Sequence, residues 1–169
     1  MKRMLALITL TSSLLLLAPP MAAETMLDAY AEAAKTVPEH KRLAELAGKW
    51  NVTTKFWMDP AKAPSITTGK ATNTLVLGGR FLSSAAQTAG GGLSYEALTI
   101  FGFDRRTDDY TLTGYDSMGT YSIAAAGKFD ALRNGVALAG SYLQPPEMKE
   151  QQYLFVWSHP SKDLHIFTL

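Results

Sequence analysis

The chain has 169 residues, a formal net charge of +1 and no cysteine. Near-neutral, dispersed charge excludes a basic nucleic-acid groove and electrostatic capture by anionic lipid. Zero Cys excludes a disulfide framework, thiol catalysis and Cys-ligated metal, so packing alone must hold the fold.

Residues 1–23 read as an export signal. Lys2 and Arg3 form a positive start, Met4 to Ala18 is a nearly unbroken apolar run, and Pro19-Pro20 ends it before the small residues Ala22-Ala23. Met21 departs from the small residue preferred three positions before the cut. The run falls short of the ~20 residues that span a bilayer, which favours cleavage near Glu24 over an anchor. The expectation is a periplasmic or secreted protein with no stable membrane anchor. About 146 residues then remain, a length that suits one domain with one core.

Residues 24–37 read as a leader or a short helix, and Val37-Pro38 is the boundary, because the residue before proline avoids helical geometry. A helix is expected from Pro38 to Ala47, with Leu43, Leu46 and Ala47 on one face and Gly48 as its stop. Such a helix would lid one end of the strand-rich segment after it.

Residues 38–169 read as a single β domain. Trp50, Val52, Thr54, Phe56 and Met58 share a face until Asp59-Pro60, and 61–68 reads as a loop. Strands are expected at 70–77, 80–88, 121–129, 136–143, 152–158 and 164–168. Gly78-Gly79, Gly90-Gly91-Gly92, Arg133-Asn134-Gly135, Pro145-Pro146 and Pro160 are the separators. The clearest stretch is Tyr95 to Thr120. Tyr95, Ala97, Thr99, Phe101 and Phe103 share one parity, then comes a charged turn, and Tyr110, Leu112, Gly114 and Asp116 share the next. Period-two alternation between charged turns is an antiparallel hairpin. About nine short strands at ~8–12-residue spacing make an all-β antiparallel meander of sandwich or barrel type.

The motifs resemble a known family. His40 to Trp50 (HKRLAELAGKW), Leu77 to Phe81 (LGGRF), Gly102 to Asp104 and Asp116 to Gly119 (DSMG) fall in the order of the bacterial family of domain of unknown function 1579. That resemblance implies a lipocalin-like, calycin-type barrel and carries over no activity. Members usually continue beyond the position of Leu169 by at least one strand, so the resemblance also implies a barrel left incomplete at its C-terminal edge.

Several constellations bear on chemistry. The Gly90–Gly92 run lacks the helix and the Lys-Ser/Thr pair of a phosphate cradle and reads as a turn. Ser117 sits in a meander with one residue too many for a nucleophile elbow, and the Asn51-Val52-Thr53 sequon falls on a strand. His159 and His165 flank one turn and would face each other. They are weak metal candidates, without an evident third ligand. Arg80 and Asp116 read either as a polar pair at a barrel mouth or as turn chemistry, with the turn reading preferred. Trp50, Phe56, Phe101, Phe103 and Trp157 read as core or lining, with Ala97 among the small residues that leave space inside. The functional expectation is a carrier of a small, mostly apolar ligand, with no cofactor required. The alternatives are an enzyme using Arg80, Asp116 or a His, and a solid barrel serving envelope interactions.

Overall fold

The computed structural model describes residues 20–57 and 59–169, so the export signal falls almost wholly outside the described residues, as does Met58. The chain divides into two units, one ending at Lys35 and the other spanning Thr36–Leu169. In the first, α1 (Pro20–Ala33) starts on a proline, where a helix tolerates the missing N–H. Glu32 and Lys35 pair where it ends.

The second unit holds α2 (Pro38–Ala44) and nine strands. They are β1 (Gly48–Phe56), β2 (Ser65–Val76), β3 (Phe81–Gly90), β4 (Leu93–Asp104), β5 (Asp109–Asp116), β6 (Ser122–Asp130), β7 (Gly135–Gln144), β8 (Lys149–Ser161) and β9 (Leu164–Thr168). Every pairing is antiparallel and joins sequence neighbours, in the order β1 to β9. The expected meander is therefore present. It curls into a half-barrel: among the described residues β1 pairs with β2 and β9 with β8, and the two do not pair with each other.

Register fixes the faces, because partners across a ladder point the same way. One concave row runs Trp50, Ala71, Ala86, Ala97, Asp116 across β1 to β5. The next runs Leu75, Leu82, Phe101, Leu112, Ala125, Gly140, Tyr153 across β2 to β8. Glycine helps set the curl. A Cβ at Gly69 would lie 1.8 Å from the Gln87 carbonyl oxygen, and one at Gly140 would lie 2.4 Å from that of Ala124. The strands approach at these points more closely than any side chain permits, which is how a sheet bends sharply.

In a meander, successive turns alternate ends. The turns after β2, β4, β6 and β8 share an end with α2, the helix end. Those after β1, β3, β5 and β7 form the open end. At the helix end the Val37 N–H donates to His40 Nδ1 (3.0 Å), holding the first turn of α2. Leu43 and Leu46 then enter a core of Leu82, Phe101, Tyr110, Leu112, Ala125, Val136, Leu138 and Trp157. The Leu46 carbonyl, just past the helix, accepts from Trp50 Nε1 and from Asn73 Nδ2, each at 2.8 Å. The expected lid is in place.

Three local expectations need correction. The helix stops at Ala44, and Glu45–Leu46 form a turn that leaves Ala47 exposed rather than on the buried face. Ser65–Thr68 are strand, not loop, because Thr53–Phe56 extend β1 far enough to pair with them. Pro160 lies inside β8, at an irregularity between Ser158 and Ser161 where no ladder N–H is required of it.

Candidate functional site

The concave face has two halves. Towards the helix end it is filled: Phe103 meets His40 edge-on (5.8 Å) and Tyr110 (5.0 Å), and Phe101, Leu112 and Trp157 are buried. Above this layer Phe101 of β4 meets Phe155 of β8 (6.5 Å) and Phe167 of β9 (5.9 Å), and the last two meet at 5.5 Å. Rings from opposite walls thus touch across the half-barrel, and Phe167 remains 43% exposed.

Towards the open end the concave face carries the small residues Gly69, Ala71, Ala86, Ala97 and Gly114, with the polar Asn73, Ser84 and Thr99 on the row of Gly114. The buried hydroxyls of Thr67 and Thr88 satisfy each other (3.0 Å). Tyr153 lies over Gly140, and its hydroxyl donates to the Ala124 carbonyl (2.8 Å). At the rim stand Tyr95 and Asp116. Burial, then the negative charge of Asp116, push the Tyr95 phenol above its usual range.

Asp116 accepts the Met118 N–H (2.8 Å), and Glu96 and Ser117 exchange two bonds: Glu96 N–H to Ser117 Oγ (3.0 Å) and Ser117 N–H to the Glu96 carbonyl (2.9 Å). The preferred turn reading of Asp116 is what the geometry shows. Arg80 Nη1 donates to the Leu77 carbonyl (2.9 Å) in the β2–β3 turn, at the helix end. The β5 terminus holding Asp116 is at the open end. The less favoured reading, an Arg80–Asp116 pair at a barrel mouth, does not form, because the strand count puts its two members at opposite ends of the sheet.

Of the proposed lining residues, Phe101 and Trp157 are core, Phe103 packs against the core, Trp50 is half-buried and Phe56 is 54% exposed. Only Ala97 and Asp116 share the small-residue row, with Trp50 at its far end. Phe155, Phe167, Tyr95 and Tyr153 were missed as a set. Counted back from the Ser161–Leu164 turn pair, Phe167 would fall opposite Ser158; the register shift between Ser158 and Ser161 places it opposite Trp157, so its position was not legible from parity.

His159 and His165 do face each other, with stacked rings 4.3 Å apart and 17° from parallel. His159 Nδ1 lies 3.2 Å from Glu45 Oε2, and His165 Nδ1 accepts from Trp157 Nε1 (3.2 Å). An accepting Nδ1 puts the proton of a neutral His165 on Nε2, so that nitrogen offers no lone pair to a metal. Among the described residues no three His, Cys, Asp or Glu side chains gather in a metal-holding arrangement. The outer face carries a shallow groove of about 570 Å³ over Thr72, Ala85, Leu98 and Tyr115, rimmed by Lys70 and Glu96.

Comparison with known proteins agrees with the motif order. Residues 35–169 match the family described as Protein of unknown function (DUF1579). No curated protein and no solved structure matches the chain. The matched segment contains every strand of the half-barrel and α2, and the chain belongs to the DUF1579 family.

Proposed function

We propose that the half-barrel binds a small, mostly apolar ligand on its concave face, in a trough towards the open end rather than in a sealed cavity. The observation that carries this is the pairing of surfaces there. A wall of small side chains, Ala71, Ala86, Ala97 and Gly114, faces an aromatic wall whose outermost ring, Phe167, is still 43% exposed. Small side chains leave room, and an exposed ring among apolar neighbours gains by being covered. Thr67 with Thr88 is already satisfied, while Ser84 and Thr99 on the row of Gly114, the unpartnered Oδ1 of Asn73, and Tyr95 and Asp116 at the rim offer the polar groups that would orient a ligand. The reading includes export, which rests on the apolar segment before Pro19.

The test uses N-phenyl-1-naphthylamine and lauric acid as apolar probes with the whole exported protein. Saturable change in Trp or probe fluorescence, with a rise in melting temperature, is expected, since a ligand that binds only the folded state must stabilise it. Ala97→Phe fills the trough and should remove binding while leaving the fold. Absence of saturable binding by either probe refutes the reading and leaves a solid half-barrel. In that case Ala97→Phe overpacks and destabilises by about 1–3 kcal/mol.

A further inference from the structure

The two strands that fail to pair, β1 and β9, are nevertheless joined by side chains at the helix end. Trp50 of β1 meets the His165 ring of β9 edge-to-face at 4.8 Å. His165 stacks on His159 of β8 and accepts from Trp157, while Glu45, just past α2, reaches His159. We propose that this cluster is an acid-released clasp: at neutral pH it holds α2, β1 and β9 together, and protonation of His165 frees β9 from the seam.

The geometry favours a neutral His165 in three ways. Trp157 Nε1 donates to His165 Nδ1, so a proton there would set two donors against each other. Two charged rings stacked 4.3 Å apart would repel. The Nε2 atoms of both rings are buried without a hydrogen-bond partner, which a charged ring tolerates less than a neutral one.

The groups facing the pair are few. From the α2 side comes the carboxylate of Glu45, from β1 the uncharged Trp50 ring, and from β8 the Trp157 indole. Asn73 of β2 lies behind Trp50 on the shared Leu46 carbonyl and does not titrate. Glu45 favours charge on the rings, so it opposes release. Burial, then His159, hold His165 below the ordinary histidine range, and Glu45 only partly offsets them. The released state thus binds protons that the clasped state refuses, so the clasp is intact above the ordinary histidine value of about 6.5 and weakens as pH falls below it.

The experiment is native-state hydrogen exchange of the full chain, read residue by residue from pH 7.5 to 5. After correction for intrinsic exchange, β9 amides should lose at least about tenfold in protection relative to those of β3–β5. Trp fluorescence should change over the same range. His165→Phe keeps a flat ring but cannot titrate, so β9 protection should become pH-independent. His159→Phe removes the facing charge and should shrink the loss. The wild-type titration alone can overturn the proposal: β9 protection that tracks β3–β5 throughout would do so. So would an undiminished acid loss in both variants.

Discussion

Gly69 allows a direct test of what bends the sheet. Its φ is ordinary, so any residue could adopt the backbone. Space is the obstacle: a Cβ there would sit 1.8 Å from the Gln87 carbonyl oxygen, 2.6 Å from Thr88 Cα and 2.7 Å from the Gln87 carbonyl carbon. All three atoms are main chain, so relief requires β2 and β3 to part and lose local ladder bonds around the Gly69–Thr88 pair. Overpacking a tight site costs typically about 1–3 kcal/mol, and the lost ladder bonds add about 0.5–1.5 kcal/mol each. The better strand behaviour of alanine returns roughly 0.5–1 kcal/mol. Gly69→Ala should therefore destabilise by about 2–4 kcal/mol, a fall in melting temperature of roughly 6–20 °C for a domain of this size. Gly79→Ala is the control. Its Cβ would meet nothing within 4 Å, but its φ of +81° is unfavourable for L residues, so it should cost about 1–2 kcal/mol through the backbone alone. Thermal unfolding followed by circular dichroism compares the two. A Gly69→Ala melting temperature within 3 °C of wild type, on the same scale of roughly 3–5 °C per kcal/mol, would refute the close-approach account.

Leu82→Ala removes a side chain that is fully buried beneath α2 and should cost about 2–5 kcal/mol in denaturant unfolding, with α2 and Trp50 loosened together. Tyr153→Phe loses only the bond to the Ala124 carbonyl and should cost about 0.5–1.5 kcal/mol, with the ring still over Gly140. Asp104 is held at about 2, first by the Arg106 guanidinium and then by the Arg106 N–H. A carboxylate so lowered stabilises the fold above its ordinary value, and that contribution is lost as pH falls through about 2. Carboxyl NMR should show the Asp104 midpoint rise towards the ordinary value in Arg106→Ala, and an unmoved midpoint would count against the assignment.

Alternation carried most of the fold. The parity of Tyr95 to Phe103 and of Tyr110 to Asp116 is the parity of the concave face, because a half-buried strand has no other way to hide every second side chain. β9 falls on the expected residues, and Gly78-Gly79 turns as expected, with φ of +69° and +81°. Strand boundaries near proline were less legible. The 61–68 stretch read as a loop and Pro160 as a break, yet Ser65 opens β2 and Pro160 is absorbed by β8, since proline at a bulge costs no ladder bond. The site was legible only in part. An aromatic residue on the inward parity is either core or lining, and parity alone does not say which. Trp157 on β8 is flanked by β7 and β9 and is buried, whereas its register partner Phe167 sits on the edge strand β9 and stays at the surface. The separation of Arg80 from Asp116 follows from a count of the intervening strands.

The strictly sequential strand order has a kinetic consequence. Each strand meets a partner that lies one turn away along the chain, so each step closes a short loop and costs little chain entropy. A β protein built this way has a low contact order for its class and should assemble quickly, hairpin upon hairpin, with several starting points open to it. Among the exceptions are the ties from Glu45 to His159 and from Trp50 to His165, which link the start of this unit to its last strands. Those contacts span nearly the whole domain, and their ordering entropy is recovered only when the intervening sheet is already curled. The slowest native contact to form is therefore the seam between the two outermost strands, after the sheet itself is complete.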